Sequence, residues 1–232
     1  GGSGTGIAQL INNQIDIADA SRIIKQSEID NAKSKGVTPV EFKICIDGIA
    51  IITNKNLKID EISIGGLRGI YNGSVKNWGK IGGPDLKITV YGRQSNSGTY
   101  AFFQEYVLKN DDYRVDMQPL NGNAQIVDAV IGDKEGIGYV GIAYAETRSD
   151  ELNIIKISNN ESGFLPTIEN ITSGDYPISR YLYIYTNGVP TGEISDYVKW
   201  ILNKEGGQRV AENLGFVPLP DSIKNEEMEK II

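Results

Sequence analysis

Residues 92–103, "GRQSNSGTYAFF", place an arginine, small hydroxyl side chains and glycines directly ahead of an apolar helical pattern. The start of a helix carries unsatisfied backbone N–H groups and the positive end of the helix dipole, which together attract anions. Arg93 would add a two-pronged guanidinium donor, and Ser97 and Thr99 would add hydroxyl groups. Gly98 would let its backbone N–H approach a ligand closely. The pattern therefore predicts the binding of an oxyanion.

A plain structural explanation fits the same residues, namely a helix cap and a loop arginine paired with a surface carboxylate. The first residues of the chain, "GGSGTGIAQLI", favour binding because Ser3, Gly4 and Thr5 repeat the Ser-Gly-Thr helix opening. Two such helix starts predict a site in which two lobes each contribute one helix start to a small bound oxyanion. Neither stretch has the glycine spacing of a dinucleotide fingerprint or the lysine of a P-loop, so nucleotide binding is not predicted.

An aspartate, Asp47, stands inside the apolar run "FKICIDGIAII". A carboxylate there must be paired or face a cleft, because an unpaired buried charge is costly. An Asp-Gly turn at the end of a strand is the alternative. As a ligand contact, Asp47 would accept the proton that phosphate retains at neutral pH and would repel a fully ionised anion such as sulfate.

The segment "DIADASR" supplies Asp19, Ser21 and Arg22 as further candidates after a short predicted strand. Asp19 and Arg22 could equally form a surface pair at i, i+3 that contributes little to stability. We therefore place this segment below the motif that contains Arg93.

The amino-acid composition argues against some classes of partner and of activity. A formal net charge of −7 over 232 residues argues against a nucleic-acid partner, so an anion must be attracted locally. The absence of histidine removes the usual general base and the commonest metal ligand. A phosphatase or phosphotransferase would need a metal cluster, a nucleophile with its base or a catalytic histidine. None is evident in the sequence, so we predict a binding protein without cofactor or metal rather than an enzyme.

Strand and helix patterns alternate along the chain and predict an α/β fold. Helices are predicted in "SEIDNAKSK", with Ser27 as N-cap, in "AFFQEYVLK", and where Ile194, Tyr197, Val198 and Ile201 recur at helical spacing. Strands are predicted in "FKICIDGIAIITN", "LKITVY", "GIGYVGIA" and "RYLYIYT". Trp78 and Trp200 are predicted to be packing residues, Cys45 a buried thiol, and Asp111 and Asp112 a solvated loop.

These motifs, taken in order, resemble the Pst-type phosphate-binding proteins of bacterial and archaeal ABC phosphate importers. The resemblance rests on "GGSGTGI", "DIADASR", "DGIAIITN", "LRGIYNGSVKNWGKIGGPD", "GRQSNSGTYAFF", "GIGYVGIAYA", "YPISRYLYIYT" and "FVPLP". It implies a type II periplasmic-binding-protein fold of two mixed α/β lobes joined by a two-strand hinge, which closes on the ligand. We expect residues 1–54 and 179–232 to form the first lobe and residues 55–178 the second.

The resemblance also implies the ligand contacts. The second lobe would contribute Arg93, Ser97, Gly98 and Thr99, and the first lobe Ser3 with its neighbours Gly4 and Thr5. Family members that carry an aspartate where Ser21 stands use that aspartate to accept the phosphate proton. This chain has serine there, so we expect Asp47 to replace it, with Asp19 as the second choice. Sulfate or molybdate is the alternative ligand.

The family also has a strand, a loop with another hydroxyl ligand and a helix before "GGSGTG", whereas this chain begins there without a methionine. Trimming, or a glycine-serine linker, would explain such a start. We expect the first lobe to lack a strand and to grip its ligand less firmly. The family further implies a monomer that delivers phosphate to ABC permease subunits. Its location would be periplasmic or extracellular, either free or anchored to the membrane through a preceding segment. A sensor or adhesin with the same fold is the other alternative.

Overall fold

The computed structural model describes residues 3–159 and 162–231, and within them the chain forms two compact units. The first unit contains Gly1–Asp47 and Arg180–Ile232, and the second contains Gly48–Ser179. Each unit combines helices with strands, so the predicted α/β class is confirmed. Residues 48–54 and Ser179, which the sequence assigns to the first lobe, lie in the second unit.

The elements follow the predicted order closely. The helices are α1 (Ser3–Ile11), α2 (Gln26–Ser34), α3 (Ile64–Asn72), α4 (Gly98–Tyr106), α5 (Asn123–Gly132), α6 (Ile142–Glu146), α7 (Ile168–Ser173), α8 (Gly192–Leu202), α9 (Arg209–Asn213) and α10 (Asp221–Glu229). The strands are β1 (Ile17–Ala20), β2 (Pro39–Asn54), β3 (Glu61–Ser63), β4 (Thr89–Arg93), β5 (Gln118–Leu120), β6 (Gly136–Gly141), β7 (Leu152–Ile154), β8 (Lys156–Ser158), β9 (Gly163–Phe164) and β10 (Ser179–Asn187).

The first unit is built on the strand order β1-β10-β2. β1 pairs antiparallel with β10, with Ala18 opposite Tyr185 and Ala20 opposite Tyr183. The apolar face of α1 packs against this sheet through Ile7, Leu10 and Ile11, all essentially buried. Because the small alanines of β1 face the helix, α1 can approach the strand closely, and this packing fixes the position of the helix start.

The predicted N-cap of helix α2 is wrong. Ser27 lies inside the helix rather than at the N-cap, which is Lys25. The carboxylate of Glu28 accepts the Lys25 backbone N–H at 2.8 Å and so satisfies a donor that precedes the helix. The helix ends at Ser34, and Gly36 follows with a φ of +72°, where glycine is favoured.

The second unit contains two sheets. In the first, β2, β6, β4 and β5 are neighbours in that order, and β7 pairs with β2 on the edge opposite β6. The second sheet has the order β3-β8-β9. β4 runs parallel to both of its neighbours and ends at Arg93, after which the chain enters α4 at Gly98. Helix α5 covers this sheet with Ile126, Val127 and Val130, which are buried against β2 and β6. This packing also sets the position of the first residues of α5.

The structure also bears on the predictions for four single residues. Asp47 lies in the middle of β2 rather than at a turn, which removes the Asp-Gly turn as its explanation. Trp78 is fully buried and Cys45 is buried, as predicted. Trp200 is wrong as a packing residue, because 48% of it is exposed and its ring stacks on Tyr197 at the surface of α8.

Candidate functional site

In the second unit, residues 92–103, which the sequence predicts to bind an oxyanion, form a tight turn from β4 into α4. The Ser97 hydroxyl caps the helix by accepting the Thr99 backbone N–H at 3.2 Å. The loop is closed by the Ser97 N–H, which donates to the Gln94 carbonyl at 2.9 Å. Gln94 in turn donates its own N–H to Leu120 at the end of β5, at 3.2 Å. The structure therefore brings Arg93, Ser97, Gly98 and Thr99 together at one helix start, as the sequence predicts.

Arg93 has an unusual environment for a half-buried arginine. Its Nη1 donates to the Oδ1 of Asn123 at 3.3 Å, at the first residue of α5. Its Nε is buried and has no hydrogen-bond partner among the described residues. No carboxylate in the described ranges, 3–159 and 162–231, forms an ion pair with it. The guanidinium therefore keeps its positive charge and an unused donor beside the helix start.

Two neighbours of Arg93 were not identified by the sequence analysis. Asn123 holds the guanidinium, and the Tyr139 hydroxyl accepts the Arg93 backbone N–H at 3.0 Å. Burial raises the pKa of Tyr139 to about 12, so its hydroxyl stays protonated at neutral pH. The only local signal for Asn123 is its place after Gly122 at the start of a helical pattern, and "GIGYVGIA" identifies Tyr139 only as a strand residue.

In the first unit, the start of α1 lies against the end of β1. The Ser3 hydroxyl accepts the Ser21 backbone N–H at 3.0 Å, and the two serine hydroxyl oxygens are 3.3 Å apart. Gly4 lies close to Arg22, because a Cβ added at Gly4 would stand 3.5 Å from Nη2 of the arginine. Ser3, Gly4, Ser21 and Arg22 are thus brought together around a second helix start. Thr5 is exposed on the same helix.

Arg22 is paired with Glu28 rather than with Asp19. Its guanidinium makes a two-pronged contact with the Glu28 carboxylate, at 2.8 and 2.9 Å. The Arg22 guanidinium lowers the pKa of that carboxyl, although burial acts in the opposite direction. Asp19 is exposed on β1, and the ion pair observed for Arg22 is with Glu28 rather than the surface pair considered with Asp19. The positive charge of Arg22 is largely compensated by its neighbour.

Asp47 forms an ion pair with Arg180, at the positions where the chain passes from one unit to the other. The Oδ2 of Asp47 accepts from Nη2 of Arg180 at 3.1 Å and from Nε at 3.3 Å. The two side chains are only 13% and 9% exposed. Burial raises the pKa of Asp47, and Arg180 opposes this rise without cancelling it. The requirement that a buried carboxylate be paired is thus met by Arg180.

A groove of about 710 Å³ on the first unit borders the start of α1 and the end of β1. Its walls are mainly apolar and include the exposed ring of Trp200 from α8 and Leu214 after α9. The polar end is formed by Ser3, Ser21 and Asp19. Trp200 lines this groove, and about half of its surface is exposed.

In the described part of the chain, no helix is both long and apolar enough to cross a membrane. Within the same residues, no three or more aspartate, glutamate or cysteine side chains are grouped in a way that could hold a metal ion.

The chain was compared with known proteins. Residues 1–205 match the model of the PBP superfamily domain. The chain is 34% identical over 237 aligned positions to the phosphate-binding protein PstS of Staphylococcus epidermidis, an alignment that covers 99% of this chain and 72% of the relative.

Solved structures give the same family. A putative phosphate ABC transporter substrate-binding protein from Clostridium perfringens, with bound phosphate, is 30% identical with a TM-score of 0.75; the match covers 94% of this chain and 85% of that one. An ABC-type phosphate transport receptor from Vibrio cholerae is 25% identical with a TM-score of 0.80 and coverages of 94% and 86%. The periplasmic-binding-protein fold is thereby confirmed, and the chain belongs to the PBP superfamily and, within it, to the PstS phosphate-binding proteins.

Proposed function

We propose that this chain binds inorganic phosphate and delivers it to the permease of an ABC transporter. The observation that carries the proposal is Arg93. Its guanidinium is held in place by a neutral amide, has no carboxylate partner in the described chain and keeps a buried donor unused. An oxyanion beside α4 would receive a charge-assisted hydrogen bond from this donor. It would also receive donors from the start of the helix, where the dipole favours negative charge.

The second unit supplies a half-site of Arg93, Ser97, Gly98 and Thr99. The first unit supplies another of Ser3, Gly4, Thr5 and Ser21, with Asp19 and Arg22 at its margin. We assign each half-site to the lobe that the sequence analysis predicts. The hydroxyl of Ser3 already bridges α1 to Ser21, which holds both serines within reach of one small ligand. Because these half-sites offer mainly hydroxyls, backbone N–H groups and arginines, we propose that they bind an anion without altering it.

Selectivity for phosphate over sulfate is assigned to Asp47. Its carboxylate has a raised pKa and therefore holds a proton more readily than an exposed aspartate. Asp47→Asn should weaken phosphate binding more than sulfate binding, since only phosphate retains a proton to share. Equal weakening of both ligands would make Asp47 a structural partner of Arg180. Because this variant also removes the ion pair between Asp47 and Arg180, the unfolding temperature must be recorded beside affinity.

The test of the proposed function is calorimetric titration of thoroughly dialysed protein with phosphate, sulfate and molybdate in parallel. Binding that is tight for phosphate and weak for the other two supports the proposal. Tighter binding of sulfate or molybdate would assign the site to another tetrahedral oxyanion. Absence of heat with all three ions contradicts the proposal for this chain. Hydrolysis of a chromogenic phosphate ester, with and without divalent metal, would assign the chain to an enzyme class instead.

We propose a location outside the cytoplasmic membrane and a monomeric binding protein, because the family pairs such proteins with membrane permeases. A pull-down with permease subunits, compared between phosphate-loaded and phosphate-free protein, tests the delivery step. Capture that does not depend on phosphate would favour a sensor or adhesin.

A further inference from the structure

We propose that Tyr139 and Tyr113 are positioning residues, whose hydroxyl groups tie together the two ends of the loop that binds the oxyanion. This oxyanion loop is defined here as residues 93–100. The inference rests on the proposed function, because it explains how the half-site in the second unit is held ready for its ligand. Neither tyrosine is proposed to touch that ligand.

Three contacts connect the ends of the oxyanion loop, and together they are called the tie here. The Arg93 backbone N–H donates to the Tyr139 hydroxyl at 3.0 Å, at the exit of β4. The Tyr113 hydroxyl donates to the Tyr100 carbonyl at 2.9 Å, in the first turn of α4. The two hydroxyl oxygens, of Tyr113 and Tyr139, lie 3.3 Å apart.

The direction of the middle contact follows from counting protons. A tyrosine hydroxyl carries one proton, and that of Tyr113 is used on the Tyr100 carbonyl. Tyr139 must therefore donate to Tyr113, while it accepts from the Arg93 N–H. The result is one continuous chain of hydrogen bonds from Arg93 to Tyr100. Burial raises the pKa of both tyrosines, so the chain keeps its protons at physiological pH.

Packing holds the rings independently of their hydroxyl groups. The ring of Tyr139 is fully buried and stacks on Phe103 of α4, with centroids 4.2 Å apart and planes at 13°. The ring of Tyr113 lies against Tyr100, with centroids 4.3 Å apart. A phenylalanine at either position would keep this packing and remove only the hydroxyl. The role of the hydrogen bonds can therefore be separated from that of the rings.

The tie adds to the backbone contacts that Ser97 makes with Gln94 and Gln94 makes with Leu120, because neither of those contacts links Arg93 to the first turn of α4. Ser95 and Asn96 are exposed. A loop that is already ordered loses less conformational freedom when a ligand binds, and affinity rises accordingly. Tyr139 and Tyr113 fix where the Arg93 backbone and the start of α4 stand relative to each other before phosphate arrives.

Tyr71 provides a matched control within the same aromatic cluster. It is fully buried, packs against Phe103 and Tyr139, and donates its hydroxyl to a backbone carbonyl, that of Tyr91, at 3.1 Å. This contact lies on β4 ahead of the oxyanion loop. Tyr71→Phe should thus remove a comparable buried hydrogen bond without touching the tie.

The experiment compares Tyr139→Phe, Tyr113→Phe and Tyr71→Phe by phosphate titration and thermal unfolding. We expect Tyr139→Phe to weaken phosphate binding about three- to tenfold, since it leaves the Arg93 N–H unsatisfied. Tyr113→Phe should weaken it less, because Tyr139 can still accept that N–H. The double variant should bind like Tyr139→Phe alone, since the chain is already broken. Tyr71→Phe should lower the unfolding temperature and leave the affinity unchanged.

Hydrogen exchange of the ligand-free proteins provides a readout that needs no phosphate. The amides of residues 94–98 should exchange faster in Tyr139→Phe than in the parent, and at the parental rate in Tyr71→Phe. Unchanged exchange in Tyr139→Phe, or equal effects of both variants on affinity, would overturn the inference. If the parent does not bind phosphate, the proposed function fails, whereas the exchange rates still decide whether the tie exists.

Discussion

The two Ser-Gly-Thr helix starts have the same sequence and are used differently. At α4, the Ser97 hydroxyl caps its own helix, whereas at α1 the Ser3 hydroxyl accepts the backbone N–H of Ser21 after a neighbouring strand. The nearby arginines differ more. Arg93 contacts the neutral amide of Asn123, whereas Arg22 forms a two-pronged ion pair with Glu28.

The difference indicates that the two half-sites would contribute different interactions to anion binding. A half-site whose arginine is compensated by a carboxylate offers mainly dipoles and hydroxyls, whereas the half-site of Arg93 offers a net positive charge as well. In a chain with a net charge of −7, we propose that this local charge offsets the general repulsion of an anion. We therefore expect the second unit to provide most of the electrostatic attraction and the first unit mainly additional hydrogen bonds.

The largest effect should follow from removing that charge. Arg93→Ala should weaken phosphate binding by roughly two orders of magnitude or more, since charge-assisted hydrogen bonds contribute about 1.5–3 kcal/mol each. Isothermal titration measures this loss. Arg68→Ala is the matched control, because Arg68 belongs to the same unit but pairs with Asp111 at the surface. Binding by Arg93→Ala within a factor of a few of the parent would remove Arg93 from the site.

The next variant would make the second half-site resemble the first. Asn123→Asp places a carboxylate against Arg93, as Glu28 stands against Arg22, and should weaken phosphate binding about tenfold or more through charge compensation and repulsion. Asn123→Ala, which loses the contact without adding charge, should weaken it less. The contrast between the two variants, measured by titration at low and high salt, separates charge from positioning. An Asn123→Asp variant that binds as tightly as Asn123→Ala would contradict the electrostatic account.

Removing the cap should have a smaller effect. Ser97→Ala takes away the acceptor of the Thr99 N–H and should lower stability by about 1 kcal/mol. We expect phosphate affinity to fall severalfold, because the loss also removes a hydroxyl donor. Thr167→Ala is the control for stability, since Thr167 caps α7 by accepting the Asn170 N–H at 3.2 Å. Thermal unfolding should respond to both variants, and phosphate affinity only to Ser97→Ala.

The sequence predicted the elements and the two helix starts because these depend on short-range patterns. Alternation in "LKITVY" and the small residues of "SNSGT" are sufficient to place a strand, a turn and a helix. The partners of the arginines were harder to predict. Asn123 is 30 residues from Arg93, and Tyr139 is 46 residues from it, so no local pattern reports either contact. Arg180 is 133 residues from Asp47, and only its strand was predicted.

The partner of Arg22, Glu28, was not predicted either, although the two residues are close in sequence. It is only six residues from Arg22, but it was assigned to a helix start, with Ser27 as the cap. Spacing predicts that a carboxylate lies in the first turn of α2, and does not say which charge outside the helix it meets. The prediction that Trp200 is a packing residue is wrong for a related reason. The spacing of apolar residues in α8 identifies an apolar face but does not say what covers each residue on it.

The smallest effect is expected from making the first half-site resemble the second. Glu28→Gln replaces the carboxylate beside Arg22 with a neutral amide, which can still accept the Lys25 N–H. Without that carboxylate, the charge of Arg22 should tighten phosphate binding about twofold at low salt, because Arg22 lies close to Gly4 at the start of α1. Gln26→Ala, which removes an exposed side-chain contact with Asp30 in the same helix, should leave the affinity unchanged.

The pH dependence sharpens this last test. Because Arg22 lowers the pKa of Glu28, the carboxylate stays ionised to a lower pH in the folded protein than in the unfolded chain. The ion pair therefore stabilises the parent above the unfolded pKa, and this contribution is lost as the pH falls through the folded pKa. Parent and Glu28→Gln should thus differ in affinity near neutral pH and converge in acid, where Glu28 becomes neutral. A difference that persists unchanged in acid would show that the variant acts through packing rather than through the charge of Arg22.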